Sequence, residues 1–358
     1  MIRSSRKGSL CFLHSGTKTT YTKYFQHVIS LIWIFITNLM MKKVFLHVGA
    51  HKTGTTTLQS VLANNREDLR SEKIVYPDFG HADSHAQWAN FIAGEAPHIE
   101  KEKHAQHTTQ WLQNLEHDEV LLLSAEALYR HINNQADYLP KLRATLAGAE
   151  IVPVLCLRNQ GSYARSLYNE WVVNWQYPHN IYKFISEFSA WFDYEGFVKK
   201  ISQLGKPILM SYHEIGGANL SSNFLQQLGY SIELMEDKIY LRQSPSDAEV
   251  YLKRLLNNSY PEPKHRNLIK NTVKEVISTK FPELRMPMPA LIWSGDLKAN
   301  IFERSYKYSN SRLCQQYNKD EAAFFPSEVE TRAQDVSLEI LSKVKSAYSL
   351  VLQELKKF

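Results

Sequence analysis

Cysteine is scarce in this chain. Cys11, Cys156 and Cys314 are its only three, too few and too scattered for a disulfide framework or a zinc site. Cys156 lies in an apolar run and reads as a buried, inert thiol. A reducing compartment follows, and with it a cytoplasmic location. A surplus of charge is missing as well. The formal net charge is +6, but the first 41 residues hold Arg3, Arg6, Lys7, Lys18 and Lys23 and no acid. Beyond them stand 37 basic against 36 acidic residues. So even a balance leaves no broad footprint for nucleic acid, and no nucleic-acid partner is expected. Any anion site must be local. Internal repeats and low-complexity tracts are absent too. With 44% hydrophobic and 22% charged residues the composition is that of an ordinary folded protein.

Only one long hydrophobic run exists. "FQHVISLIWIFITNLMM" spans 17 residues, follows a basic segment and contains His27 and Asn38. Roughly 17–25 residues can cross a bilayer, so a membrane anchor is one reading, and association with an inner membrane stays open. The favoured reading is a non-native upstream extension, a mis-start ahead of the fold, because a strand begins at once after Met40-Met41 with no linker. No small-x-small site ends the run, which argues against a cleaved signal peptide. Residues 1–40 are therefore read as an N-terminal extension and 41–358 as the folded domain.

Short β-rich runs alternate with helical stretches: Val44–Val48, Lys73–Tyr76, Val120–Ser124, Ile151–Leu157 and Ile208–Tyr212. Most are almost continuously apolar, as strands covered on both faces should be. The expected fold is α/β: a P-loop-like three-layer sandwich with a central, mostly parallel sheet of about five strands. The first helix should carry Leu58, Val61 and Leu62 on one face, with Thr55 or Thr56 as its N-cap. From about residue 220 strand signals fade. "AEVYLKRLLNN" and "SLEILSKVKSAYSLVLQELKKF" are amphipathic helices of a helical C-terminal part.

The chemistry concentrates in "GAHKTGTTT". Strand, glycine- and threonine-rich turn, then helix is the layout of a phosphate-cradling loop, in which free backbone amides of Thr53 to Thr57 and the helix dipole favour an anion. Gly49 and Gly54 have the separation of G-x-x-x-x-G-K-[ST]. Thr55, however, stands where that pattern puts lysine, and Lys52 lies inside the loop. Glu126 is the one candidate for a magnesium carboxylate at a strand end.

Here the sequence resembles the sulfotransferases that use 3′-phosphoadenosine-5′-phosphosulfate (PAPS), and among them bacterial, carbohydrate-type members. Their phosphosulfate loop reads K-[ST]-G-T-[ST], and Lys52-Thr53-Gly54-Thr55-Thr56 matches it. Their second signature is an arginine ending a later strand with a serine eight residues on. In "VLCLRNQGSYARSLYNEWV" these are Arg158 and Ser166. The resemblance extends over roughly residues 42 to 325, with weaker echoes in "PILMSYHEI", "FLQQLGYS" and "SNSRLCQQY". It implies PAPS as co-substrate without a metal, held by Lys52, Thr53, Gly54, Thr55, Thr56 and Thr57 at one end and by Arg158 and Ser166 at the 3′-phosphate. The closing motif of cytosolic small-molecule members is missing, which leaves Lys238, Arg242 and Ser244 as weak candidates for the far side. A nucleotide with phosphates at both ends of its ribose needs two anion sites at strand ends, and an arginine fork suits one of them.

The implied reaction is in-line transfer of a sulfuryl group to an acceptor hydroxyl, in which Lys52 offsets charge on the leaving oxygen. Three groups compete as general base: Glu126 just past the third strand, His85 in "HADSHAQW", and His51 beside the lysine. Tyr168, Trp171 and Trp175 are candidate acceptor-side aromatics, although their helical spacing equally suits a core. The relatives suggest a glycan hydroxyl as acceptor. Two other classes stay open: a P-loop kinase or ATPase with a non-standard loop, and a non-catalytic domain that keeps the fold.

Overall fold

The computed structural model describes residues 41–50, 52–79, 83–95, 108–217, 219–234, 244–293, 299–326 and 336–357. The N-terminal extension, His51, Lys238 and Arg242 lie outside the described residues. Five strands form one sheet: β1 (Lys42–Val48), β2 (Ile74–Val75), β3 (Val120–Ala125), β4 (Ala149–Leu157) and β5 (Ile208–Ser211). Their order is β2-β3-β1-β4-β5, and every neighbouring pair is parallel. In register, Leu46 of β1 stands opposite Leu123 of β3 and Pro153 of β4. Pro153 lies just ahead of the β4–β5 pairing, which begins at Val154. There β4 has a neighbour on one side only, where a missing N–H is tolerated.

The period of two in the strands sorts their side chains into two cores. Val44, Leu46 and Val48 join one cluster with Leu121 and Leu123, while Phe45 joins the other with Val120 and Leu122. Helix α1 (Thr55–Asn64) covers the second face through Leu58, Val61 and Leu62. Helices α2 (Ala127–Asn134) and α3 (Gln160–Trp175) cover the first, α3 through Ala164, Leu167 and Tyr168. The result is the three-layer α/β sandwich. A leucine buried as fully as Leu46 contributes about 1.5–3 kcal/mol. Cys156 belongs to the second core, where burial pushes its thiol up to about 12.

Five further helices matter below: α4 (Leu220–Gln227), α5 (Asp247–Ser259), α6 (Arg266–Lys280), α7 (Ala299–Ser305) and α8 (Leu338–Leu355). Among them α5, α6 and α8 bury a third core of their own, with Leu252, Leu256, Ile269, Val273 and Val351. Ser246 opens α5 with a capping box to Glu249. This helical module is tied to α3 by polar contacts. Arg165 grips Asp247 with Nη2 at 2.7 and 2.8 Å, and Asn257 donates to the carbonyl oxygens of Val172 and Tyr177.

The chain leaves β1 toward β2 on one side, then crosses over to β4 on the other. The direction of winding therefore reverses between β1 and β4. In open parallel sheets the crevice outside the strand ends at such a point is where ligands bind.

Candidate functional site

The loop after β1 enters that crevice. Lys52 has φ 67° and Gly54 φ 74°, both in the left-handed region. For glycine this is unstrained; for lysine it is uncommon and costs energy that the surrounding fold must sustain. The two positive φ values curl the backbone around Thr53, whose hydroxyl donates to the Ala50 carbonyl at 2.7 Å. Helix α1 then starts at Thr55 with Gly54 as N-cap and no side-chain cap. The expected cap by Thr55 or Thr56 is thus corrected: the cap is glycine, which has no side chain to offer the first-turn amides. Thr55 is buried, Thr56 exposed and Thr57 intermediate. A Cβ on Gly54 would lie 2.8 Å from Leu220 Cδ2 of α4 and 3.4 Å from Tyr212 Cε2. Gly54 is needed for both its φ and this close approach.

Arg158 follows β4 and faces the same crevice. Its Nε donates to Ser162 Oγ at 2.8 Å, and its guanidinium stacks over the Tyr212 ring, 5.2 Å from the centroid. Arg158 lines two adjoining cavities. One, of about 230 Å³, lies between the ends of β4 and β5 against Asn159, Tyr212, His213 and Phe324. The other, of about 200 Å³, runs along the first turns of α3 and includes Ser162, Ser166, Asn169, Ser244 and Glu303. The two residues of the second signature therefore meet in one cavity, with Ser244 beside them. The α3 amides of Gly161 and Ser162 are capped by Asn159 Oδ1, so side chains rather than helix amides present the polar groups here. Among the described residues, Asn169 Oδ1 is buried without a hydrogen-bond partner on this cavity's wall.

The loop and the arginine are linked through α3. Lys52 Nζ lies 3.7 Å from Glu170 Oε2, an ion pair with both partners about one-third exposed. Glu170 follows Ser162 and Ser166 at steps of four residues, on one helix face. That spacing was present in the sequence but was masked by the aromatic residues around it. Tyr212 was likewise visible only as the end of a strand motif.

Glu126 occupies the N-cap position of α2 without a side-chain cap bond and stands against the loop: a Cβ on Gly49 would lie 3.2 Å from Glu126 Cγ. Nearby, the fully buried hydroxyl of Tyr163 has no hydrogen-bond partner among the described residues and feels the charges of both Glu126 and Glu170.

His85 is placed differently from the expectation. It is 2% exposed, its Nδ1 accepts the Ser124 amide at 2.8 Å, and its Nε2 donates to the Pro77 carbonyl at 2.9 Å. Burial lowers its pKa to about 4. With both ring nitrogens engaged inside the fold, it has no lone pair to offer an acceptor. Of the aromatics, Tyr168 is core: 2% exposed, with its hydroxyl donating to the His179 carbonyl. Trp171 packs on Phe188 with centroids 4.6 Å apart. Trp175, 64% exposed at the end of α3, is the one of the three open to a ligand.

No protein-family profile matches the chain, and no curated protein matches it in sequence. Among solved structures it is similar to a sulfotransferase from Alicyclobacillus acidocaldarius, at 12% identity and a TM-score of 0.37, over 63% of this chain and 99% of that one.

Proposed function

We propose that the protein is a sulfotransferase that moves a sulfuryl group from PAPS to a hydroxyl of an acceptor, a glycan being the acceptor class favoured. One observation carries the reading: two anion-binding arrangements sit at the ends of neighbouring strands on either side of the sheet's switch point. The uncapped start of α1 with Lys52 suits the 5′-phosphosulfate. The cavity of Arg158, Ser162 and Ser166 suits the 3′-phosphate. The partnerless Asn169 Oδ1 on its wall is an acceptor suited to a ribose hydroxyl.

Within this reading, the amides of Thr55, Thr56 and Thr57 hold the oxygens of the transferred group and the 5′-phosphate. Lys52 supplies the cation that offsets negative charge growing on the leaving oxygen. Glu126, against the loop, is assigned to take the acceptor's proton. Trp175 offers an exposed ring face on the acceptor side.

Thermal-shift titration with PAPS, adenosine 3′,5′-bisphosphate and Mg·ATP tests the donor. Stabilisation by the first two and not the third is expected; stabilisation by Mg·ATP alone would instead mark a kinase-like nucleotide site. Turnover on a glycan panel then separates an enzyme from a binding domain.

A further inference from the structure

The cavity along α3 contains a carboxylate. Glu303 of α7 lines it together with Arg158 and Ser166. A Cβ on Gly161 would lie 2.9 Å from the Glu303 carboxyl carbon, so the carboxylate rests directly on the first turn of α3. That position is favourable for any anion, since the α3 dipole is positive there. The residue before it, Phe302, is 6% exposed and packs on Phe192 and Trp293 with centroids 5.3 and 6.1 Å apart. Helix α7 is thus anchored with Glu303 aimed at α3.

The charges on this wall nearly cancel among the described residues. Arg165 lines the cavity but is engaged by Asp247, at 2% exposure, through Nη2 and Nε. Glu303 is the carboxylate that lines the cavity together with Arg158 among the described residues. A phosphate dianion entering here would meet a carboxylate where it needs a cation, and like charges brought together in an interface are costly.

We propose that Glu303 is a built-in surrogate for the ligand's phosphate. In the empty protein its carboxylate fills the position beside Arg158, and a 3′-phosphate enters by displacing it. The inference rests on the reading of this cavity as the 3′-phosphate site. It makes Glu303 a threshold residue: nucleotides without a 3′-phosphate leave it in place, and those with one must expel it.

The test is calorimetric titration of adenosine 3′,5′-bisphosphate and of AMP into the wild type, Glu303→Gln and Glu303→Ala. Removing one competing charge should tighten the bisphosphate by about 5- to 50-fold, the range of a partly screened charge-assisted contact, and shift AMP by less than about twofold. The alanine variant keeps the test decisive if the glutamine variant folds poorly. Trp293, on the same cavity wall, gives a second readout. Its emission should respond to the bisphosphate and not to AMP, with the response lost in Trp293→Phe. A wild type that prefers the bisphosphate, joined to Glu303 variants that bind it unchanged or more weakly, overturns the surrogate role. Equal affinity of the wild type for both nucleotides overturns the 3′-phosphate reading itself, and this inference with it.

Discussion

Replacing Arg158 by alanine removes the cation that both cavities share, and its effect can be scaled from its surroundings. The guanidinium is half-buried, its Nε is fixed by Ser162 at 2.8 Å, and the Tyr212 ring lies 5.2 Å away. It is therefore held in one orientation before any ligand arrives, so little ordering cost offsets its contacts. A hydrogen bond to a charged group is worth about 1.5–3 kcal/mol, or about 10- to 150-fold in affinity. Partial exposure places Arg158 in the lower part of that range, about 10- to 50-fold. Arg158→Lys keeps the charge but loses the fork and the Ser162 bond, so it should fall between wild type and alanine. Calorimetry with adenosine 3′,5′-bisphosphate and AMP provides the assay. AMP, lacking the 3′-phosphate, should lose no more than about twofold. Equal losses for both nucleotides in Arg158→Ala would refute the reasoning, because they would place Arg158 at the phosphate the two share.

Lys52→Ala should lower kcat for sulfuryl transfer more than it raises the KM for PAPS; a near-normal kcat in initial-rate measurements would show that another cation serves the leaving group. Glu126→Gln should lower kcat by ~10²–10⁴-fold with bisphosphate affinity retained, and survival of more than about a tenth of the rate would remove Glu126 from that role. Gly54→Ala should destabilise the fold by about 1–3 kcal/mol in urea denaturation, since φ 74° and Leu220 Cδ2 at 2.8 Å both oppose a Cβ. Burial lowers His47 and His85 to about 4 from 6.5. The unfolded chain thus takes up their protons first as pH falls. Their contribution is whole above about pH 6.5 and is lost toward pH 4, at about 1.4 kcal/mol per pH unit for each histidine within that window. Urea midpoints at several pH values should show this slope, and His85→Gln should reduce it by one histidine's share, about 1.4 kcal/mol per pH unit.

The sheet was legible in the sequence because most strand positions are buried on both faces and read as apolar runs. Even β2, which shortens to Ile74–Val75, fell inside its expected span. Lys52 and Arg158 were legible because short motifs fix them to strand ends. What the sequence hid depends on tertiary placement. Glu170 approaches Lys52 only because α3 crosses the crevice, and Glu303 comes from more than a hundred residues beyond Arg158. His85 looked like a loop histidine, yet the backbone of Ser124 and Pro77 closes around it. Tyr168 and Trp171 obeyed a helical spacing that fits a core and a platform equally, and the fold used it mainly for core.

The Arg165–Asp247 pair and the Asn257 bonds make α3 a member of two packed bodies at once. One face of α3 closes the sheet's core and the other holds the helical module. Amide exchange should reveal such sharing: α5 and α6 cannot open as an independent cooperative unit without stripping hydrogen bonds and an ion pair from α3. A nucleotide held by Arg158, just ahead of α3, and by Ser166 within it should therefore slow exchange along α5 and α6, in amides that it never touches. The helical module would then report occupancy of the crevice through its breathing alone.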